Sequence, residues 1–348
     1  MDESKLHSIV GQVLQDLGGA FSVPLVQIGE SLGIYEALNE SGPCTSTDLA
    51  ASTGLDERYL REWLCAMAAS NYVVFNEDDQ TFSMTPEQAF IFANRDSPFY
   101  LAPAFGAAAA FQDNEPLVRE AFKTGAGIAW QDQSKCLSCA VARFFRPGYQ
   151  NHLVQAWLPA IEGMADKLEK GAVVADVGCG HGVTTTLMAR AFPNSQFVGL
   201  DFHEGSIEAA RKHAAAHELN NLKFEVCLAK ELPGTYDLVT VFDCLHDMGD
   251  PVGGMTHIRK SLNEGGACMI VEPMAGDSIS ENLNPVSRLY YAASTMVCVP
   301  TSLAQETGAA LGAQAGENRL RGVAIQSGFK QIGRIAETPF NLVLEARA

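Results

Sequence analysis

Eight consecutive residues, Ala175-Asp176-Val177-Gly178-Cys179-Gly180-His181-Gly182, combine what a ligand-binding loop requires. Glycines let the backbone approach a ligand closely, and the free N–H groups at a helix start favour negative charge. A dinucleotide fingerprint would need glycine at position 183, but Val183 stands there and the spacing is G-x-G-x-G. Asp201 closes the next apolar run, 23 residues after Gly178. At that place an acid can accept hydrogen bonds from a ribose diol. Loop and acid together predict an adenosine-bearing ligand. Asp176, just ahead of the loop, is placed to help hold an ammonium group. A second rich stretch, Phe242-Asp243-Cys244-Leu245-His246-Asp247-Met248-Gly249-Asp250, supplies a histidine and acids able to take up a proton.

These residues need a frame, and after Gly171 the rhythm is strand, loop, helix. Ala172–Val177, Gln196–Asp201, Leu222–Cys227, Tyr236–Phe242 and Ala267–Val271 read as strands, and Phe340–Glu345 as a terminal edge strand. Helices are predicted from Thr184 to Ala191 and from Gly205 to His217. Repeated βα units imply an α/β fold with a doubly wound parallel sheet that binds ligands beyond the carboxyl ends of its strands. The His246 stretch ends the fourth strand, at the lip where two ligands would meet.

Before residue 170 the patterns are mostly helical. Leu25, Ile28, Leu32, Ile34 and Leu38 predict a helix over Val23–Asn39, broken at Ser41-Gly42-Pro43. Thr45 to Asp48 forms a capping-box start for a short helix, and Asp56 caps a longer one through Leu60, Trp63, Leu64 and Met67. Tyr72–Phe75 and Thr81–Met84 flank a turn. The outline is a winged helix-turn-helix. Its third helix, DERYLREWLCAMAAS, offsets two arginines with acids and has no basic stripe. Packing or dimerisation is therefore expected of it in preference to DNA binding.

The whole chain is acidic. Its 348 residues carry 24 Lys+Arg and 41 Asp+Glu, a net charge of −17. Such a surface repels phosphate backbones and anionic headgroups, so neither nucleic acid nor membrane is an expected partner. The opening residues lack the basic-then-apolar pattern of a secretory leader, and the longest weakly polar stretch, Tyr100–Phe111, is too short to span a bilayer. Nine scattered cysteines fit reduced thiols, and the expected location is cytoplasmic. Cys136-x-x-Cys139 lacks a second pair, and His213 with His217 lacks a third ligand, so no metal centre is expected.

ADVGCGHG followed by VGLDFHEGSIEAAR resembles motifs I and II of class I S-adenosylmethionine-dependent methyltransferases. The likeness continues through YDLVTVFDCLHDMGDP and GGACMIVEP to the final GFKQIGRIAETPFNLVLEARA, covering residues 147–348. With the winged-helix segment in front, the chain resembles bacterial small-molecule methyltransferases and, more distantly, plant-type O-methyltransferases. The resemblance implies a Rossmann-like sheet of seven strands, the last antiparallel. It also implies a helical dimerisation and substrate-lid domain over 1–146 and a homodimer. The cofactor implied is S-adenosylmethionine, leaving as S-adenosylhomocysteine. Carried over, Gly178, Cys179 and Gly180 would lie against its methionine part, Asp201 on the ribose, and Phe202 beside the adenine. Where many relatives place an acid for the adenine amino group, this chain reads Cys227-Leu228-Ala229-Lys230, which leaves backbone groups around Ala229 for that contact.

Methyl transfer is an in-line displacement in which the protein chiefly supplies orientation. A neutral hydroxyl needs a base. The resemblance assigns that role to His246 and assigns Glu272 to orient it, because an acid beside imidazole fixes its tautomer and stabilises the imidazolium. A purely structural His246 is the competing reading, and Asp243 or Asp247 could take the proton or touch the cofactor. Tyr149, with Phe144, Phe145 and Trp157, either roofs a substrate site or packs in the core. Tyr290, Tyr291 and Met296, on an insertion between the fifth strand and a late helix, either select the substrate or pack in the core. The expected activity is methylation of a small-molecule hydroxyl, with an acceptor that is partly apolar. Transfer to nitrogen, sulfur or carbon, a changed reaction on the same fold, and a cofactor-binding winged-helix regulator are the alternatives.

Overall fold

The computed structural model describes residues 1–348, which form two compact units. The first comprises Met1–Ala110 with Arg143–Gly148, the second Phe111–Ala142 with Tyr149–Ala348. The chain thus enters the second unit, returns briefly and enters it again, where the sequence reading draws one boundary after residue 146.

In the first unit, helix α1 spans Glu3–Ser31, α2 Ile34–Ser41, α3 Ser46–Thr53 and α4 Glu57–Ala69. A hairpin of β1 (Val74–Asn76) and β2 (Thr81–Ser83) follows, then α5 (Pro86–Phe92). The caps are the expected ones. Thr45 and Asp48 close a capping box on α3, and Asp56 accepts from Arg58 and Tyr59 N–H at the start of α4. Tyr35 packs edge-on against Trp63 and stacks on Phe92, over a floor of Leu38, Leu49, Leu64 and Met67.

The single helix expected over Val23–Asn39 is in fact two. Gly33 adopts φ +68, ends the run and redirects the chain. Ile28 and Leu32 consequently face outward while Ile34 and Leu38 are buried. Helix α1 also extends twenty residues further toward the N-terminus than the periodicity suggests, starting at Glu3 rather than Val23. By length and composition it could cross a membrane, which corrects the reading that put the longest weakly polar stretch at Tyr100–Phe111.

Two helices, α6 (Ala104–Thr124) and α7 (Leu137–His152), lead to α8 (Met164–Lys170) and the sheet. Strands β3 (Val173–Val177), β4 (Gln196–Asp201), β5 (Leu222–Val226), β6 (Tyr236–Phe242) and β7 (Leu262–Pro273) alternate with α9 (Val183–Ala191), α10 (Glu204–Ala215) and α11 (Pro251–Lys260). After β7 come α12 (Pro285–Ala293), a π-helical turn (Ser294–Cys298), α13 (Val299–Leu303), α14 (Gly316–Gln326), β8 (Gln331–Glu337) and β9 (Asn341–Arg347). The seven strands run in the order β5-β4-β3-β6-β7-β9-β8, and β9 is antiparallel to both neighbours. The order reverses between β3 and β6, so their carboxyl ends flank the crevice where such sheets bind ligands. The strand read as the edge lies second from it. β9 is buried along most of its length because β7 and β8 cover both sides, and β8, half-exposed, forms the edge.

Candidate active site

The glycine loop is built from backbone that most side chains would strain. Gly178, Gly180 and Gly182 all have positive φ, at +73, +52 and +71. A Cβ on Gly178 would overlap Cys244 Sγ. Cys244 in turn donates to Val177 O at 3.3 Å, which fastens the end of β6 to the end of β3. The Gly178 and Cys179 N–H groups donate to Leu200 O, and the Gly182 N–H donates to Cys179 O.

Asp201 clasps the loop to β4. Its carboxylate accepts from Gly180 N–H at 2.9 Å and from His203 N–H at 2.8 Å. Burial raises its pKa, opposed by those two backbone donors. Phe202, beside it, is 43% exposed and offers a flat apolar face. Ala229 opens a short 3₁₀ turn and is half-buried.

Asp176 is placed differently from what its position in sequence suggests. It is fully buried, and its oxygens accept from Thr184, Thr185 and Thr240 hydroxyls at 2.7, 2.6 and 3.0 Å. Burial pushes its pKa up to about 6 against those three donors. The carboxylate braces β3, α9 and β6 beneath the loop, so its tie to a ligand is through loop shape. The run Thr184-Thr185-Thr186 directly after the glycines was a visible clue to this bracket.

At the end of β6, Asp243 has φ +45, a strained value for a non-glycine residue, fixed in part by donation from its N–H to Val271 O. Tyr149 donates its hydroxyl to Asp243 at 2.6 Å, and Asn341 Nδ2 donates to both carboxylate oxygens at 3.0 and 3.2 Å. Burial, and then the charge of Glu272, lift the Asp243 pKa to about 8. Tyr149 also packs edge-on against Phe242 and Trp157, whereas Phe144 and Phe145 pack on each other within the first unit. Nothing local marks Asn341 as a partner, since it lies 98 residues away on β9.

His246 and Glu272 come together at the ends of β6 and β7. Nδ1 of the ring lies 2.5 Å from Glu272 Oε2, while Oε1 accepts from Leu245 N–H at 2.9 Å. Both side chains are almost wholly buried. Burial disfavours the imidazolium, but the Glu272 and Asp247 carboxylates outweigh it and hold the histidine pKa well above its ordinary range. Nε2 points away from Glu272, 3.2 Å from Asp247 Oδ1. An imidazole held at Nδ1 by a carboxylate, in its neutral form, can accept a proton at Nε2.

The aromatic candidates divide. Tyr290 is buried and donates to Phe340 O at 2.8 Å. Tyr291 is 39% exposed, and Met296 is half-buried in the π-helical turn. His213 on α10 and His217, past its C-terminal end, lie edge-on at 5.4 Å, and Cys136 and Cys139 are both exposed free thiols.

Residues 168–323 match the description of a methyltransferase domain, and residues 20–94 that of the Rv2258c-like winged HTH domain. Among curated proteins, the ubiquinone biosynthesis O-methyltransferase of Neisseria meningitidis serogroup C is 36% identical over 99 residues, covering 27% of this chain and 40% of that protein. The corresponding protein of Acinetobacter baylyi is 31% identical over 127 residues, 35% of this chain and 51% of that one. The chain therefore spans only about half, or less, of the length of the curated relatives it matches. Solved structures match throughout. An O-methyltransferase family protein from Burkholderia thailandensis gives a TM-score of 0.67 at 19% identity, over 100% of this chain and 98% of that one. Human N-acetylserotonin methyltransferase, solved with S-adenosylmethionine, gives 0.70 at 14% identity, over 97% of each. At those identities the likeness is one of fold.

Proposed function

From the premise that the chain belongs to the methyltransferases with an N-terminal winged helix-turn-helix domain, we propose that it moves a methyl group from S-adenosylmethionine to a hydroxyl of a small, partly apolar molecule. The observation that carries this is the His246–Glu272 pair at the ends of β6 and β7, on a loop fastened through Cys244 to the glycine turn.

The residues fit the cofactor. Asp201 presents a buried carboxylate to a ribose diol, and the side-chain-free glycine loop gives an amino-acid moiety backbone to lie against. Phe202 and the turn at Ala229 form the adenine side. The bound cofactor supplies a methyl group already activated by its sulfonium, so the protein's task is alignment. Asp243, held by Tyr149 and Asn341, fixes the rim of the cleft. His246 takes the hydroxyl proton on Nε2 as oxygen attacks, and Glu272 stabilises the imidazolium that forms. Asp247 stands on the same side and adds negative charge next to that cation. The half-buried Met296 and exposed Tyr291 are the acceptor-facing candidates, while Tyr149 and Tyr290 brace the site through their hydroxyls.

A partner of the same kind suits α1. Leu6, Ile9, Val10, Val13, Leu14, Leu17 and Phe21 are exposed along it, and pairing with a second copy would cover them. The arginines of α4 are engaged with acids of their own helix, Arg58 with Glu62 and Arg61 with Glu57, which favours packing over nucleic-acid binding. Nine free cysteines suit a reducing, cytoplasmic setting.

The test is incubation with isotopically labelled S-adenosylmethionine and a panel of phenols, acids and amines, with His246→Ala and Asp201→Ala beside the parent. Label on a phenolic oxygen that disappears in His246→Ala is the expected result. Label on nitrogen alone, or transfer unchanged in His246→Ala, would overturn the hydroxyl-and-base reading.

A further inference from the structure

Cys298 has no part in the scheme above, yet it stands beside its base. It lies in the π-helical turn Ser294–Cys298 and is 7% exposed. The candidate donor atoms of His246, Asp247 and Cys298 all lie within 4.8 Å of one another. Asp247 Oδ1 is shielded from water and faces His246 Nε2 at 3.2 Å, and the Cys298 thiol hydrogen-bonds both side chains. A carboxylate, an imidazole and a thiol gathered away from water form a donor set in which one metal ion can take the place of the protons they share.

We propose that His246 Nε2, Asp247 Oδ1 and Cys298 Sγ form a binding site for a divalent ion of the zinc class, and that its occupancy switches methyl transfer off. Zinc takes nitrogen, sulfur and carboxylate ligands, and tetrahedral bond lengths put their atoms about 3.4 to 3.6 Å apart. The His246–Asp247 separation is already close to that value, and Cys298 is within a side-chain adjustment of it. The site has the outer support that metal-bound imidazoles require, because Glu272 holds Nδ1 at 2.5 Å and leaves Nε2 as the coordinating nitrogen. The Asp247 side chain is 21% exposed, which opens a way in, and three protein ligands leave a fourth position for water. Sequence spacing carries no sign of the site, since Cys298 arrives from a turn 51 residues after Asp247.

The switch follows from atom counting. Nε2 has one lone pair, so an imidazole coordinating the ion cannot accept the acceptor's proton. This part of the inference rests on His246 being the base, whereas binding itself does not. The Cys298 thiol, and His246 wherever Nε2 is protonated, must give up their protons to the solvent as the bonds to the metal form.

The experiment uses the full chain with Cys65, Cys136 and Cys139, the exposed thiols, replaced by serine to remove competing ligands. Zinc is titrated against a chromophoric chelator, and cobalt(II) is bound in parallel for its absorption spectrum. One tight equivalent is expected, with a thiolate-to-cobalt charge-transfer band. Cys298→Ala and Cys298→Ser should each lose the band and bind zinc at least about tenfold more weakly, with thermal melting used to confirm folding. Each variant is compared with its own metal-free rate, and zinc should inhibit the parent but not the Cys298 variants. Absence of stoichiometric binding, or a cobalt band unchanged in both variants, would refute the site. Binding as described with no inhibition of an active parent would refute the switch, and it would point to a different base. Loss of activity in His246→Ala alongside absent metal binding would sink this inference while leaving the proposed function intact.

Discussion

The Glu272→Gln substitution is the sharpest probe of the proton-transfer machinery. Glu272 has two tasks: one oxygen accepts from Leu245 N–H at 2.9 Å and the other meets His246 Nδ1 at 2.5 Å. An amide has one oxygen and one NH₂, so neither orientation can serve both. If its oxygen keeps Leu245, the NH₂ faces Nδ1, and the ring must carry its proton on Nε2, where it cannot accept another. If its oxygen turns to Nδ1, the NH₂ collides with the Leu245 N–H. The substitution also removes the charge that raises the histidine pKa. General-base catalysis is worth about 10² to 10⁴ in rate, or about 3 to 5 kcal/mol in barrier, and kcat should fall within that range. Cofactor affinity should not change, because the glycine loop and Asp201 are untouched. The assay is single-turnover transfer of labelled methyl, with cofactor binding measured separately by calorimetry. His246→Ala combined with Glu272→Gln should cost no more than the worse single change, as expected of residues acting as a unit. A kcat within about threefold of the parent would show that Nε2 takes no proton in the rate-determining step.

Other consequences follow from the same geometry. On the proposed role of His246 as base, and with its pKa raised, kcat/KM should climb with pH through a midpoint above the ordinary histidine value; a midpoint at or below about 6.5 would contradict the influence of the two carboxylates. Asp243 keeps its proton to about pH 8 in the folded chain, so its contribution to stability is greatest at acid pH and is lost as pH rises toward that value. Asp243→Asn should therefore flatten the fall in Tm over that interval, checked by calorimetric melts at several pH values. Gly178→Ala adds a Cβ into Cys244 Sγ at φ +73, and should lower Tm and weaken cofactor binding; pairing it with Cys244→Ala should recover only the steric part. Replacing Leu14 and Phe21 on α1 by glutamate should shift a dimer to a monomer in sedimentation velocity, without unfolding the remaining core.

Much of the fold was readable because it rests on local chemistry. The βα rhythm, the capping box at Thr45, the N-cap at Asp56, and the three positive-φ glycines are properties of neighbouring residues, and each appears where its residue types place it. The glycine loop followed by Asp201 was legible for the same reason, since a strand–turn–helix brings them together whatever surrounds it. Periodicity failed where one residue outvoted it. Gly33 split a helix whose apolar spacing ran straight through, and the burial of β9 depended on strands supplied from elsewhere.

What folding alone decided is which groups share a low-dielectric pocket. Asp176 looked like a ligand contact by position, and three hydroxyls on α9 and β6 turned it into a brace. Tyr149 and Asn341 meet on Asp243 from opposite ends of the second unit's chain, and Cys298 comes to rest beside His246 with no motif to announce it. Short-range preferences are written in adjacent residues and act before the chain closes. Charge states and proton partners arise only when burial strips water from groups distant in sequence, and no spacing rule encodes which of them that will be.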